Sequence, residues 1–346
     1  MRKARPTLVP MLAVAALVMA FPLISFSQNR EKFVISAKAG GVNAVTGRAT
    51  MLPHGNGEWQ QLTIKEDLEA GDLVKTGVDG RVEMLLNPGS YMRVGENTEF
   101  ELANNSLENL EVRLIKGTAI VEVTGADDEE LFIGITTPHT RMSIVRRGLY
   151  RVSVVPGDTT ELIVRKGRVM LEGSHTKVNG GNKVVFSSNS FSVAKLKGTE
   201  KKDSDALGGW SKERAQTLAK ENSRINDRTF NALSSSFNDD WFSSNLFRRH
   251  SFGFWLYRPG TSCYTFIPYY SRYGSPYGSG YSRSIFAGGF GDWGFGPGFG
   301  GPVRQIYRGS RGRPASGGGA SVGGRPSSSP AASQSRPTRA PREQLP

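Results

Sequence analysis

Residues 71–102, GDLVKTGVDGRVEMLLNPGSYMRVGENTEFEL, constrain the fold more tightly than any other part of the chain. Apolar and polar side chains alternate through three short runs. Val82, Met84 and Leu86 fall on one face of the first run, Met92 and Val94 on one face of the second, Phe100 and Leu102 on one face of the third. Arg81, Glu83, Arg93, Glu99 and Glu101 take the opposite face. A period of two is that of a strand with one side on a core and the other in water. Asn87-Pro88-Gly89 separates the first two runs and supplies a turn, because Pro fixes φ and Gly tolerates φ > 0.

The pattern continues downstream. In LEVRLI (110–115), Leu110, Val112 and Leu114 point inward, with Glu111 and Arg113 outward. LFIGI (131–135), YRVSV (150–154), ELIVR (161–165) and KVVFS (183–187) follow, with turn signals at Pro156-Gly157-Asp158 and Asn179-Gly180-Gly181. Short runs at this spacing predict an all-β domain over residues 33–196, with many short antiparallel strands forming a roll or sandwich. A basic residue followed by Gly recurs before strands, as Lys116-Gly117, Arg147-Gly148 and Lys166-Gly167, at spacings of 31 and 19 too unequal to define a repeat. The acidic run Asp127 to Glu130 lacks the Asp-x-Asp-x-Asp-Gly spacing of a calcium loop and reads as a solvated hairpin loop. The other carboxylates of the domain are expected to alternate outward.

These blocks resemble the FecR domain of bacterial envelope proteins. Gly71, Asp72, Thr76, Gly77, Gly80, Arg81, Gly89, Ser90, Arg93, Asn97 and Thr98 match its pattern, as do LIKGTAIVEV (114–123), TTPHTRMSIVRRGLYRVSV (136–154) and ELIVRKGRVMLEG (161–173). The resemblance spans most of residues 38–196 and brings no catalytic residue with it. In the signalling members of that family, the domain lies in the periplasm and relays a signal to a sigma factor through a cytoplasmic N-terminal domain and one membrane span. Here only about seven residues precede the apolar run, a departure from that plan, so direct control of a sigma factor is not expected, nor is iron-transport signalling.

The N-terminus reads as a signal peptide over residues 1–27. Arg2, Lys3 and Arg5 precede an apolar run from Leu8 to Phe26, and Ser25-Phe26-Ser27 offers small residues for cleavage before Gln28. An uncleaved inner-membrane anchor is the alternative, since roughly 20 residues span a bilayer. Pro10, Pro22 and the small-x-small end favour cleavage. The expected location is the periplasm or outer envelope, or secretion beyond it.

After a polar linker at 197–209, a helix is predicted over 210–230 with Ser211 as its N-cap. FGFWLYRPGTSCYTFIPYY then predicts an aromatic hairpin over 250–270 about the Arg258-Pro259-Gly260 turn. Its Trp255, Tyr257, Tyr264 and Phe266 form a candidate contact surface, for packing or for stacking on sugars. The lone Cys263 excludes an internal disulfide and reads as a small buried hydrophobe.

From Tyr273 to Pro346 the composition is Gly, Ser, Arg and Pro with early aromatics, which predicts disorder. From Trp241 onward there are thirteen Arg and no Lys against two acids, so this region holds most of the chain's net +13. Arg304, Arg308, Arg311, Arg313, Arg325, Arg336, Arg339 and Arg342 are candidate contacts for polyanions. Behind an export signal those are anionic envelope polymers, and no nucleic acid is expected.

Catalytic patterns are absent from the sequence. His54, His139, His175 and His250 are scattered, no Gly-x-Ser-x-Gly elbow occurs, and the glycines of FAGGFGDWGFGPGFGG do not link a strand to a helix. No cofactor is expected. The reading is a non-enzymatic binding or sensing module whose partner is an envelope protein or glycan. The alternative is a structural or adhesive protein attached through its arginine-rich tail.

Overall fold

The computed structural model describes residues 35–36, 39–64, 66–125, 131–188, 190–202, 204–236 and 252–285. The signal-peptide reading, the Asp127–Glu130 run and the eight tail arginines lie outside these residues.

Nineteen strands and two helices are described in chain order. The first are β1 (Ile35–Ser36), β2 (Val42–Thr46), β3 (Ala49–Leu52), β4 (Gln60–Gln61), β5 (Leu73–Thr76), β6 (Arg81–Leu85), β7 (Ser90–Val94) and β8 (Glu99–Asn104). Then come β9 (Glu111–Val123), β10 (Ile133–Thr136), β11 (Arg141–Ile144), β12 (Gly148–Val155), β13 (Thr159–Lys166), β14 (Arg168–Leu171), β15 (Thr176–Asn179), β16 (Asn182–Ser187) and β17 (Ser190–Lys195). The helices α1 (Ala206–Ser223) and α2 (Asp227–Ser236) lead to β18 (Gly253–Arg258) and β19 (Cys263–Pro268).

The domain is all-β. One sheet runs β2-β6-β7-β9-β12-β13-β16-β17 and the other β4-β3-β5-β8-β9-β10-β11-β14-β15, so the long strand β9 belongs to both. Every pairing in the two sheets is antiparallel except β9 with β10, which run parallel. Up to Lys116, β9 pairs with β8 and β10; from Gly117 it pairs with β12, and from Ala119 with β7. Gly117 has φ 89°, and a Cβ there would lie 2.4 Å from Thr98 Oγ1, so only glycine fits where β9 passes from one sheet to the other.

The inward residues of both sheets form one core. Val82, Met84, Met92 and Val94 of the first sheet join Phe100, Leu102, Val112 and Leu114 of the second, all essentially inaccessible to solvent. Leu110, Val121, Val123, Tyr150, Val152, Leu162 and Val164 extend it. Here the alternation sorts apolar side chains inward as the sequence predicts.

The three basic-Gly pairs acquire a common meaning. Lys116-Gly117 lies at the crossing within β9, Arg147-Gly148 where β11 of the second sheet leads to β12 of the first, and Lys166-Gly167 where β13 leads back to β14. They mark passages between sheets rather than units of a repeat.

Helix α1 begins earlier than Ser211. Asp205 is the N-cap, its Oδ1 accepting from Gly208 N at 2.9 Å. The single helix expected over 210–230 is two, broken at Arg224–Asn226, and Asn226 Oδ1 accepts from Thr229 N at 2.7 Å to cap the second. The hairpin gains a third strand, because β1 pairs with β18 in register Ile35 to Leu256. No helix among the described residues is long and apolar enough to cross a membrane.

Candidate functional site

The outer face of the first sheet is not a water face. Glu83 of β6, Arg93 of β7 and Glu122 of β9 point away from the core between the sheets, yet each is fully buried. The cover is the C-terminal part of the chain: α1, the β18–β19 hairpin and residues 273–285. The expectation that the domain's carboxylates and arginines face solvent is therefore corrected at these three positions. The physical reason lies in their neighbours, since Leu85, Tyr91, Ile120 and Leu149 share that outer face and are buried with them.

Burying charge demands compensation. Arg93 Nε donates to Glu83 Oε2 at 2.6 Å and its Nη1 to Glu122 Oε2 at 2.5 Å. Arg214 of α1 reaches Glu83 Oε1 through Nη2 at 2.7 Å, and Asn43 Nδ2 donates to the same oxygen at 2.8 Å. Ser211 Oγ accepts from Arg93 at 3.1 Å and from the Tyr277 hydroxyl at 2.8 Å, while Ser275 Oγ donates to Glu122. Two carboxylates thus face two guanidiniums, and α1 and the segment 273–285 both supply partners. Burial alone would raise the Glu83 carboxyl; Arg93 and Arg214 outweigh it and hold it down to about 2. The same two carboxylates raise Arg93 against the opposing effect of its burial.

Ser211 was expected to cap a helix and instead sits inside α1 at the centre of this network. The segment from Tyr273 to Ile285, expected to be disordered, is also corrected. Tyr273, Ser275 and Tyr281 are buried, and the Asn222 side chain brackets Arg283 by donating to its carbonyl at 3.0 Å and accepting from its N–H at 2.7 Å. Composition undervalued this stretch because its three tyrosines anchor on a hydrophobic sheet face supplied from elsewhere.

The four aromatics of the hairpin share one face, as cross-strand pairs Trp255 with Phe266 and Tyr257 with Tyr264. Trp255 and Phe266 are fully buried, so this pair is internal packing and not an exposed stacking surface. Trp255 lies 4.9 Å from the Tyr91 ring and Phe266 lies 5.2 Å from that of Tyr281, centroid to centroid. Tyr257 and Tyr264 are half-buried, 5.2 Å apart. Cys263 is buried, and burial pushes its thiol up.

At the end of the sheets where β11 leads to β12 and β13 to β14, the chain leaves a cleft of about 510 Å³. Five cationic residues line it: Arg146, Arg147, Arg165, Lys166 and Arg168, with Gly148, Gly167, Gly180 and Pro276 completing the wall. No acidic side chain lines it among the described residues. Its frame is rigid. The Tyr150 hydroxyl donates to Arg146 O at 2.6 Å and accepts from Arg168 N at 3.0 Å, and Gly180 N donates to Gly167 O at 2.9 Å. Lys166 Nζ donates to Pro276 O at 2.5 Å, so the C-terminal segment forms part of the rim. Two of the three basic-Gly pairs thus meet at one cleft, a convergence that their sequence spacing hid.

Among the described residues the histidines form no constellation. His139 Nδ1 lies 2.9 Å from Thr160 Oγ1 in a loop, and among the described residues no group of three or more His, Cys, Asp or Glu is placed to hold a metal.

Residues 72–170 match the family model described as FecR protein. No curated protein matches the chain. Two crystal structures of candidate anti-sigma factors from Parabacteroides distasonis ATCC 8503 align with it. One shares 16% identity over 36% of this chain and 58% of that one, the other 13% over 41% and 64%, each with a TM-score of 0.31. The chain spans about three fifths of the length of those two proteins. The matched residues run from β5 into β14, through the shared strand β9 and all five cleft cations beyond it, and residues 72–170 of this chain carry a FecR domain.

Proposed function

We propose that this protein is a non-enzymatic binding or sensing module of the bacterial cell envelope, exported and working outside the cytoplasm. The FecR domain is the observation that carries the reading. The supporting chemistry is the distribution of charge. The buried carboxylates are neutralised by arginines in fixed ion pairs, which suits a structural joint and leaves no free acid or base there for catalysis. The cleft concentrates positive charge, which suits binding.

Fractionation of the native host, with mass spectrometry of the mature N-terminus, tests this. A terminus at or near Gln28 in periplasmic, outer-envelope or secreted fractions is expected. Recovery of the intact chain from the cytoplasm would overturn the proposal. Deleting residues 286–346 separates binding from adhesion, because envelope retention that survives the deletion does not depend on the arginine-rich tail.

A further inference from the structure

We propose that the basic cleft is a binding site for a multiply charged oxyanion, one that presents clustered phosphate or carboxylate groups. The inference supplies a ligand class for the binding reading above and rests on it.

Three observations converge. Four arginines and one lysine line a single cavity, which at about 510 Å³ is large enough for a small ligand rather than a lone ion; Arg147 Nη1 also donates to Gly125 O at 3.3 Å and Arg168 Nε to Asn179 Oδ1 at 3.0 Å, both neutral acceptors. Guanidinium is planar, stays charged, and pairs with phosphate or carboxylate through two parallel N–H donors. The second observation is rigidity. The side chains spring from passages between sheets whose backbones are tied together through the Tyr150 hydroxyl and the Gly180–Gly167 bond, so the segments that carry the cations are fixed before any ligand arrives. Such preorganisation lowers the ordering cost of binding. The third is the composition of the rim. Lys166 is exposed and its ammonium is held by a neutral carbonyl, that of Pro276, which an anion would outcompete. Ligand binding would then draw Lys166 inward and act on the C-terminal segment that Pro276 belongs to.

Purified full-length protein is titrated with inorganic tripolyphosphate, and separately with vesicles of phosphatidylglycerol or of phosphatidylcholine. Three chains are compared: wild type, Arg147→Gln/Lys166→Gln, and the tail variant Arg311→Gln/Arg313→Gln. The expected result is saturable binding that weakens about tenfold or more in the cleft variant, as loss of two charge-assisted contacts implies, and changes little in the tail variant. Binding to tripolyphosphate identifies a soluble ligand; cleft-dependent binding to phosphatidylglycerol vesicles alone identifies a lipid headgroup. No binding to either probe, or binding that the tail variant abolishes and the cleft variant leaves intact, overturns the proposal. Should the double variant fail to fold, the exposed Lys166→Gln alone is tested, and unchanged affinity there is equally decisive against it. A purely in vitro failure leaves the envelope location standing.

Discussion

Asn43 and Tyr264 stand 221 residues apart and are joined like a base pair: Asn43 Oδ1 accepts from Tyr264 N at 2.6 Å, and Asn43 Nδ2 donates to Tyr264 O at 3.2 Å. A bulge in β2 at this residue shifts its register against β6 and re-aims the side chain toward the hairpin. Asn222 does the same from α1, donating to Phe266 O at 2.9 Å and bracketing Arg283. Replacing either Asn by Ala leaves buried backbone groups without partners and should cost about 1–3 kcal/mol. Denaturant unfolding measures the loss. Limited proteolysis should cut first within residues 252–285, and cleavage elsewhere first would show that these amides do not hold the cover.

Arg93 is the pivot of the buried network. Arg93→Met strands Glu83 and Glu122 with one fewer counter-charge, and a loss of about 3–5 kcal/mol is expected. Arg113→Gln breaks the Arg113–Glu101 pair, whose arginine is half exposed, and should cost under about 1 kcal/mol. Equal midpoint shifts for the two variants would show that burial of the network does not set its energy.

Acid should undo the same joint. Glu83 has its folded value held down to about 2, against about 4.5 for an ordinary glutamate. A lowered folded value means that its contribution is fully present above about pH 4.5 and is lost as pH falls toward 2. Urea midpoints measured across that window should fall for the wild type and fall less steeply for Glu83→Gln. Parallel slopes would refute the assignment.

The strand alternation, the turn at Asn87-Pro88-Gly89 and the all-β class were legible from the residues themselves. The cover was not. Glu83 and Arg93 occupy polar positions of strands whose other side is plainly apolar, and alternation reports two faces without naming what lies on the second. The signal was present in Leu85, Tyr91, Ile120 and Leu149, apolar side chains at outward positions, which together mark a sheet buried on both sides. The cleft was harder to see, because Arg147-Gly148 and Lys166-Gly167 come together only through the crossing pattern of the strands between them.

Gly89 is held by two requirements at once. Its φ is 96°, and a Cβ would lie 3.0 Å from Cζ of the buried Phe266. Gly89→Ala should destabilise by about 1–3 kcal/mol, read from thermal or denaturant melting. A neutral result would mean that the hairpin shifts away at no cost.

Cys263 should be inert in the folded protein. Its thiol is buried and pushed above its ordinary value, so little thiolate exists at neutral pH. Labelling by a thiol reagent should be slow in buffer and fast in urea. Rapid labelling of folded protein would show that the hairpin opens readily.

Strand β9 also sets a schedule. Because it belongs to both sheets, neither is complete until β9 has partners on each side, from β7 and β8 made before it and from β10 and β12 made after it. A chain delivered from its N-terminus has no finished half to fall back on, and the charged outer face stays open until Ser275 and Tyr281 arrive. Under the proposed export this delay is useful: the topology itself postpones folding until almost all of the described residues have been delivered.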